Sequence, residues 1–307
     1  MRPISLRVGA GDAGARLDRF VSARGGISRG EARRAIAAGG VYLDGRRCKV
    51  ASRAVRQGQS VLVSLEDPER AKPAAAPLDR RRILHLDEFL VAVDKPAFVP
   101  AQPTLSSDRG ALPELVSALL GAPVFLVHRL DRETSGVTVF ARSPHAAAAL
   151  SEAFRAGTVQ KVYLALTVRS PVPPRGRIDA PLGPDPKRPG RRTVAARGEP
   201  AATQYETLRH GQSGAALVRC LPETGRTHQI RAHLAHLGAP LLGDARYDGP
   251  RHLLGTIVPR AMLHSRRLEI AHPITGAPLA LEAMLPLDFL STLRHLVPSQ
   301  EGEAEAP

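Results

Sequence analysis

The chain has 307 residues, 43% of them hydrophobic and none of them Trp, so it can bury a core built mainly of Leu, Val, Ile and Ala across two domains. Lys and Arg outnumber Asp and Glu by 43 to 29, and the net charge of +14 points to a polyanionic partner, nucleic acid foremost. No apolar run has the length of a membrane span, the opening MRPISLRV lacks a signal-peptide core, and no basic amphipathic helix with large apolar residues suits a membrane surface.

Residues 1–66 read as a first unit. Leu17, Phe20 and Val21 fall at i, i+3 and i+4, the spacing of one helix face. Ser28 and Glu31 form a capping box, Ala32, Ala35 and Ile36 continue the apolar face of a second helix, and Gly39-Gly40 stops it. Val41–Leu43 is a predicted strand, Asp44-Gly45 a hairpin turn, and Val61–Leu65 a further strand. Thirteen Lys and Arg against five Asp and Glu give these residues a net +8. Arg29, Arg33 and Arg34 lie along the second helix. There guanidiniums and the N–H groups of a helix start combine as a phosphate-binding surface. One such helix alone fits a solvated basic face equally well, and the concentration of charge favours RNA. Residues 67–78, rich in Pro, Ala and charge, read as a linker.

From 79 to 298, strands separated by turns alternate with inserted helices, which predicts an α+β domain. Ile83–Leu86 and Phe89–Val93 flank Asp87-Glu88 as a hairpin, Ser106–Gly110 is polar, and Leu112–Leu120 suits a helix. Val127–Ser143 (VHRLDRETSGVTVFARS) sets a His, two Arg, two acids, two hydroxyls and a Gly ahead of the apolar run Val137–Ala141. A polar turn feeding a strand can hold a reactive side chain rigidly. Ser143-Pro144 opens a helix with Leu150 and Phe154 on its buried face and Gly157 at its end. Val159–Val168, Ala202–Leu208 and Ala215–Leu221 read as strands, the last two as neighbours. Leu182–Arg192 is a Pro/Gly loop with four basic residues, read equally as an RNA contact or a disordered insertion. Thr224-Gly225 turns into a helix from Gln229, and Thr275-Gly276 turns between two strands of Leu263–Leu285. Leu287–Leu296 is a closing helix, and the acidic 299–307 a disordered tail. Cys48 and Cys220 have no partners at metal spacing, as expected of reduced thiols in a cytoplasmic protein.

Asp131 sits between Arg129 and Arg132, and taken alone such a cluster is usually a surface ion pair. The whole stretch, however, resembles the motif H-R-L-D-x-x-T-S-G of the RluA-type RNA pseudouridine synthases. Asp94-Lys95-Pro96-Ala97 resembles that family's N/D-K-P-x-G, with Phe98 where Gly is usual. Lys161-Val162-Tyr163 matches K-x-Y, and Glu223–His233 (ETGRTHQIRAH) resembles T-G-R-x-H-Q-I/L-R. Leu241–Gly249 (LLGDARYDG) resembles G-D-x-x-Y-G with Asp248 inserted, and Leu263-His264-Ser265 and His272-Pro273 also match. The first unit, two helices and a hairpin, resembles the small RNA-binding domain named after ribosomal protein S-four.

The resemblance implies a mixed, mostly antiparallel sheet crossed by an RNA cleft. It also implies a monomeric isomerase that turns uridine into pseudouridine, in large-subunit ribosomal RNA first and transfer RNA next. Carried over residue by residue, Asp131 is the catalytic carboxylate, Arg231 its counter-charge, and Tyr163 the ring that packs on the target base. Arg129 fills the space left by the flipped nucleotide, Arg226 meets phosphate, and His228 joins the RNA contacts. The isomerisation conserves atoms and electrons, so no metal or cofactor is expected, and no phosphate-loop, dinucleotide or H-E-x-x-H motif is present. His228, His233 and His236 lack the companions and spacing of a metal set. Two rivals remain. One is a non-catalytic RNA-binding factor. The other is a hydrolase using Ser135, His128 and Asp131, although Ser135 lacks the G-x-S-x-G elbow.

Overall fold

The computed structural model describes residues 3–65, 76–103, 110–211 and 214–298. The expected linker up to residue 75, the polar residues 106–109 and the acidic tail lie outside them. The chain divides into two units, one of residues 1–78 with 100–122, the other of 79–99 with 123–307.

In the first unit, β1 (Ile4–Arg7), β2 (Val41–Leu43), β3 (Arg46–Arg47) and β4 (Ser60–Val63) form an antiparallel sheet in the order β1-β4-β2-β3. Helices α1 (Leu17–Gly25) and α2 (Arg29–Ala38) share its core through Leu17, Phe20, Val21, Ala32 and Ile36. The capping box forms as expected, with Ser28 Oγ accepting the Glu31 N–H and Glu31 accepting the Ser28 N–H. Asp44 and Gly45 both take positive φ, 49° and 77°, as a two-residue hairpin turn requires. Residues 100–122, which the sequence places in the second unit, group with the first. They hold α3 (Leu112–Leu120), whose Leu112 and Val116 are buried one turn apart.

The second unit carries a ten-stranded sheet. Its strands are β5 (Ile83–Leu86), β6 (Leu90–Lys95), β7 (Phe125–Leu126), β8 (Ser135–Ala141), β9 (Gln160–Thr167), β10 (Arg175–Asp179), β13 (Ala202–His210), β14 (Ala216–Pro222), β17 (Leu263–Ala271) and β18 (Pro278–Glu282). Two small hairpins stand apart from it, β11 (Leu182–Pro184) with β12 (Arg192–Val194), and β15 (His252–Leu253) with β16 (Thr256–Ile257). The sheet runs β10-β13-β14-β9-β17-β8-β6-β5, with β18 also on β17 and β7 also on β8. Every pairing is antiparallel except that of β8 with β17, so the sheet is mixed and mostly antiparallel. Helices α4 (Pro144–Ala156), α5 (Gln229–His236) and α6 (Leu287–Leu296) cover it. Ala146 and Leu150 of α4 pack on Leu90, Val137 and Val139, and Ile230 and Leu234 of α5 on Ala165, Val218 and Cys220. Phe289 and Leu296 of α6 pack on Leu164, Leu166 and Leu217.

The parallel contact is short, His264 opposite Ser135 and Ser265 opposite Gly136. It requires a glycine: φ at Gly136 is 110°, and a Cβ there would lie 2.2 Å from the Ser265 carbonyl oxygen. Gly136 therefore does not end a turn, as its sequence context suggests, but lies inside β8 and lets two strands meet beside the Asp131 loop. The 182–192 segment is likewise not a free loop: it closes into the β11–β12 hairpin, with Arg188 and Arg191 ion-paired to Asp248.

Candidate active site

Residues 127–134 lead into β8, and side chains fix this loop along its length. His128 Nε2 accepts the Val139 N–H at 2.9 Å, and its ring stacks on Phe154 at 4.3 Å. Burial, with Lys161 nearby, holds that imidazole neutral down to a pKa of about 3. The Arg132 carbonyl accepts the Phe98 N–H at 2.7 Å, and Arg132 Nε donates back to the Phe98 carbonyl at 3.1 Å. Phe98 adopts the positive φ of 67° expected of the glycine usual at this position and leaves its ring exposed.

Beneath the loop, the buried Lys95 Nζ donates to the carbonyls of Pro96, Val99 and Arg132 at 3.0, 2.9 and 3.2 Å. Burial and the neighbouring Arg260 lower its pKa to about 7. Arg260, fully buried, makes a two-point ion pair with Asp288 of α6 and donates to the Glu133 carbonyl and Ser135 Oγ. These contacts tie the loop to β17 and α6.

Asp131 is presented to α5. Arg231, on the first turn of that helix, donates through Nη1 to Asp131 Oδ2 at 2.9 Å. Its Nε and Nη2 clasp both oxygens of Asp244 at 2.7 and 2.8 Å, with Asp244 only 1% exposed. Burial works against the Arg231 charge, but the two carboxylates outweigh it and raise its pKa. His228, in the left-handed region at φ 57°, places Nε2 3.9 Å from Asp131 Oδ2. Among the described residues only Oδ2 of Asp131 is hydrogen-bonded, so one oxygen is anchored and Oδ1 is not.

These groups line a cavity of about 610 Å³, within the roughly 300–1,000 Å³ range of small-molecule sites. Its walls hold Asp131, Tyr163, Arg231, Arg129, Arg226 and His228, so six sequence-predicted residues meet in one place. Burial pushes the Tyr163 phenol up to about 12, so the ring stays neutral. Arg129, exposed, donates to Thr227 Oγ1, and Arg226 is engaged by the Pro200 carbonyl and Glu199. Glu223, the other carboxylate of the wall, is bound by Arg177 and Gln204 side chains.

The other three predicted residues belong to the first unit. There Arg29 and Arg33, with Arg16, surround the buried Asp18 while staying about half exposed themselves, and Arg34 is exposed. The sequence alone assigns no role to Asp244, Tyr247, Lys95 or Arg260. Lys95, Asp244 and Tyr247 stand in the motif segments, Asp244 and Tyr247 both in the one that resembles G-D-x-x-Y-G, whereas no motif marks Arg260.

The hydrolase rival does not assemble. Ser135 is buried and bonds His264 Nδ1 at 2.9 Å, whereas His128 uses Nε2 on a backbone amide. His233 is a core residue bonded to Thr203 and Ala180, and among the described residues no three His, Cys, Asp or Glu converge as a metal site. Both cysteines are buried free thiols. Among the described residues, no helix is long and apolar enough to cross a membrane.

Residues 89–236 match the RNA pseudouridylate synthase family, and residues 15–61 match the S4 domain. A protein of Chloroflexus aurantiacus named as an uncharacterized RNA pseudouridine synthase is 37% identical over 92% of this chain and 90% of its own length. The ribosomal large subunit pseudouridine synthase D of Xanthomonas campestris is 36% identical over 85% of this chain and 83% of its own. Among solved structures, the human RNA pseudouridylate synthase domain containing 4 superposes with a TM-score of 0.58 at 32% identity, over 70% of this chain and 94% of that one. Since such relatives follow this chain along most of its length, it belongs to the RluA-type RNA pseudouridine synthases, isomerases that act on RNA, and carries an S4 domain ahead of the synthase residues 89–236.

Proposed function

We propose that this chain isomerises specific uridines of structured RNA, large-subunit ribosomal RNA first, with Asp131 as the catalytic carboxylate. One observation carries the choice of residue: Asp131 is held through a single oxygen by the buried Arg231 at the floor of a nucleotide-sized cavity. Glu223, the other acid of that wall, is occupied by Arg177 and Gln204. The name of the Xanthomonas relative supports the substrate class, with transfer RNA as the alternative.

The reaction breaks the bond from ribose to N1 and forms one to C5 of the same uracil, so a proton leaves C5 and one arrives at N1. A carboxylate serves this chemistry as nucleophile or base. The target must leave its stack, at a cost of a few kcal/mol. Tyr163, neutral and on the cavity wall, is placed to stack on the extruded base, a contact that contributes ~1–3 kcal/mol. Arg129, exposed at the cavity, is suited to the vacated position in the stack. Residues 1–66 supply phosphate contacts through Arg29, Arg33 and Arg34, and residues 79–298 carry the chemistry. The protein acts as a monomer in the cytoplasm, where its two buried thiols stay reduced.

Asp131→Asn tests the assignment. It keeps the size of the side chain and removes its charge and its nucleophilic oxygen. Pseudouridine counted by mass spectrometry after incubation with unmodified ribosomal RNA should fall to background, while RNA affinity stays near that of the parent. Pseudouridine formed by the Asn variant would remove Asp131 from the chemistry.

A further inference from the structure

Behind the cavity, and not part of its wall, lies Tyr247, 2% exposed among Leu182, Ala201 and Ala232. Its hydroxyl accepts the backbone N–H of Arg192, at the start of β12, at 2.9 Å. The same oxygen lies 3.2 Å from His228 Nδ1. A phenol has one proton to give and two lone pairs. With the Arg192 amide filling one lone pair, the phenolic proton needs an acceptor, and His228 Nδ1 is the acceptor within reach among the described residues. If Nδ1 carried a proton instead, the Arg192 and His228 N–H groups would fill both lone pairs and the buried phenolic proton would go unsatisfied, an arrangement native structures avoid.

The neutral ring then keeps its hydrogen on Nε2. That atom faces the cavity, 3.9 Å from Asp131 Oδ2 and so beyond hydrogen-bond distance. The backbone agrees: His228 occupies a left-handed conformation unfavourable to a side chain, as residues held for a task often do. Burial also disfavours the charged ring, against a smaller pull from Asp131.

Building on the uridine-site reading above, we infer that His228 is a specificity-determining residue whose Nε2–H donates to a carbonyl oxygen of the bound uracil, and that Tyr247 is the positioning residue that fixes this tautomer. The β11–β12 hairpin thereby has a role at the site. Its Arg192 amide orients the Tyr247 hydroxyl, and Arg191 packs on the Tyr247 ring at 4.9 Å. The same ring supports the Arg231 guanidinium at 5.1 Å, so the residue that sets the donor also floors the counter-charge of Asp131.

Tyr247→Phe removes only the hydroxyl and keeps the ring under both arginines. On unmodified large-subunit ribosomal RNA transcribed in vitro, kcat/KM should fall about tenfold, the equivalent of one buried hydrogen bond. His228→Ala should lose at least as much, and His228→Gln, which carries an N–H of similar reach, should recover part of it. Tyr247→Phe added to His228→Ala should cost nothing further, because the hydroxyl acts only through the imidazole. In nitrogen-15 histidine spectra, the signals absent from His228→Gln should show a protonated Nε2 and a bare Nδ1 in the parent, and a mixture in Tyr247→Phe. Additive losses in the double variant, or a proton on Nδ1 in the parent, would overturn the inference. A parent that forms no pseudouridine on any RNA would defeat the uridine-site reading, and the tautomer spectrum would still decide the role of Tyr247.

Discussion

Asp244→Asn perturbs the site from behind, because Asp244 is not part of the cavity wall and reaches it only through Arg231. Asp244 accepts two charged hydrogen bonds from Arg231, at 2.7 and 2.8 Å, and both side chains are almost fully buried. An Asn there offers one carbonyl oxygen and turns an NH₂ group toward the guanidinium. Breaking a buried ion pair from one side costs about 3–5 kcal/mol. For a domain of this size each kcal/mol moves the unfolding midpoint by about 2–4 °C, so a drop of about 6–20 °C is expected by circular dichroism. Arg231 also loses the two-point grip that aims Nη1 at Asp131 Oδ2, and a misplacement near 1 Å costs about a hundredfold in rate. Pseudouridine counted by mass spectrometry on unmodified ribosomal RNA should follow that fall. Replacing the pair together, Asp244→Leu with Arg231→Met, removes the buried orphan charge and leaves only the partly exposed Asp131 unpaired, so most of the stability should return while activity does not. An Asn variant with the parent's midpoint and turnover would refute this account, as would an apolar pair as unstable as the single variant.

Two further outcomes are expected. Arg29→Gln, Arg33→Gln and Arg34→Gln together should weaken RNA binding and flatten the dependence of log affinity on log salt by up to ~0.7–0.9 for each phosphate no longer neutralised; an unchanged slope in filter binding would exclude this helix from the RNA interface. His128 and His264 are held neutral in the fold, with pKa values of about 3 and 4 set chiefly by burial, against 6.5 when unfolded. Because the unfolded state binds more protons, their contribution to stability is complete above pH 6.5 and is lost as pH falls toward 4 and then 3. Urea unfolding across that window should show the loss, and His264→Gln should flatten part of it.

Much of this organisation is legible in the sequence because local rules and tertiary needs agree. The Ser28 capping box, the Asp44-Gly45 turn and the Ser143-Pro144 helix start each satisfy backbone groups within a few residues, so no long-range information is needed. β8 is an uninterrupted buried run, as expected of a strand covered on both faces. By contrast, β10 (RGRID) is an edge strand with a single buried residue, too exposed to leave an alternating pattern. Gly136 reads as a turn residue from its neighbours, and only the approach of Ser265 from far along the chain shows why it must be glycine. The site divides the same way. Asp131, Tyr163 and Arg231 take their roles from the motifs they stand in, whereas Asp244 and Tyr247 stand in a motif that marks their place but not their work, because Arg231, His228 and the Arg192 amide become their partners only in the fold.

The Asp244 clasp answers a problem set by the chain's own charge. A protein with a net +14 that binds a polyanion brings phosphates close to every accessible arginine. An arginine held only by Asp131 has five donors and one partner, and an incoming phosphate competes for it on equal terms. The outcome of that competition would leave the carboxylate without its counter-charge at the moment RNA arrives. Asp244 occupies Nε and Nη2 in a two-point grip, the Tyr247 ring covers the guanidinium, and only 6% of Arg231 remains exposed. On the proposed reading, phosphates are met by exposed guanidiniums such as that of Arg34 on α2, while Nη1 of Arg231 stays committed to Asp131 Oδ2. The division of labour proposed for the arginines thus rests on burial: exposed ones would exchange water and counterions for RNA, and the buried one is already committed to two carboxylates.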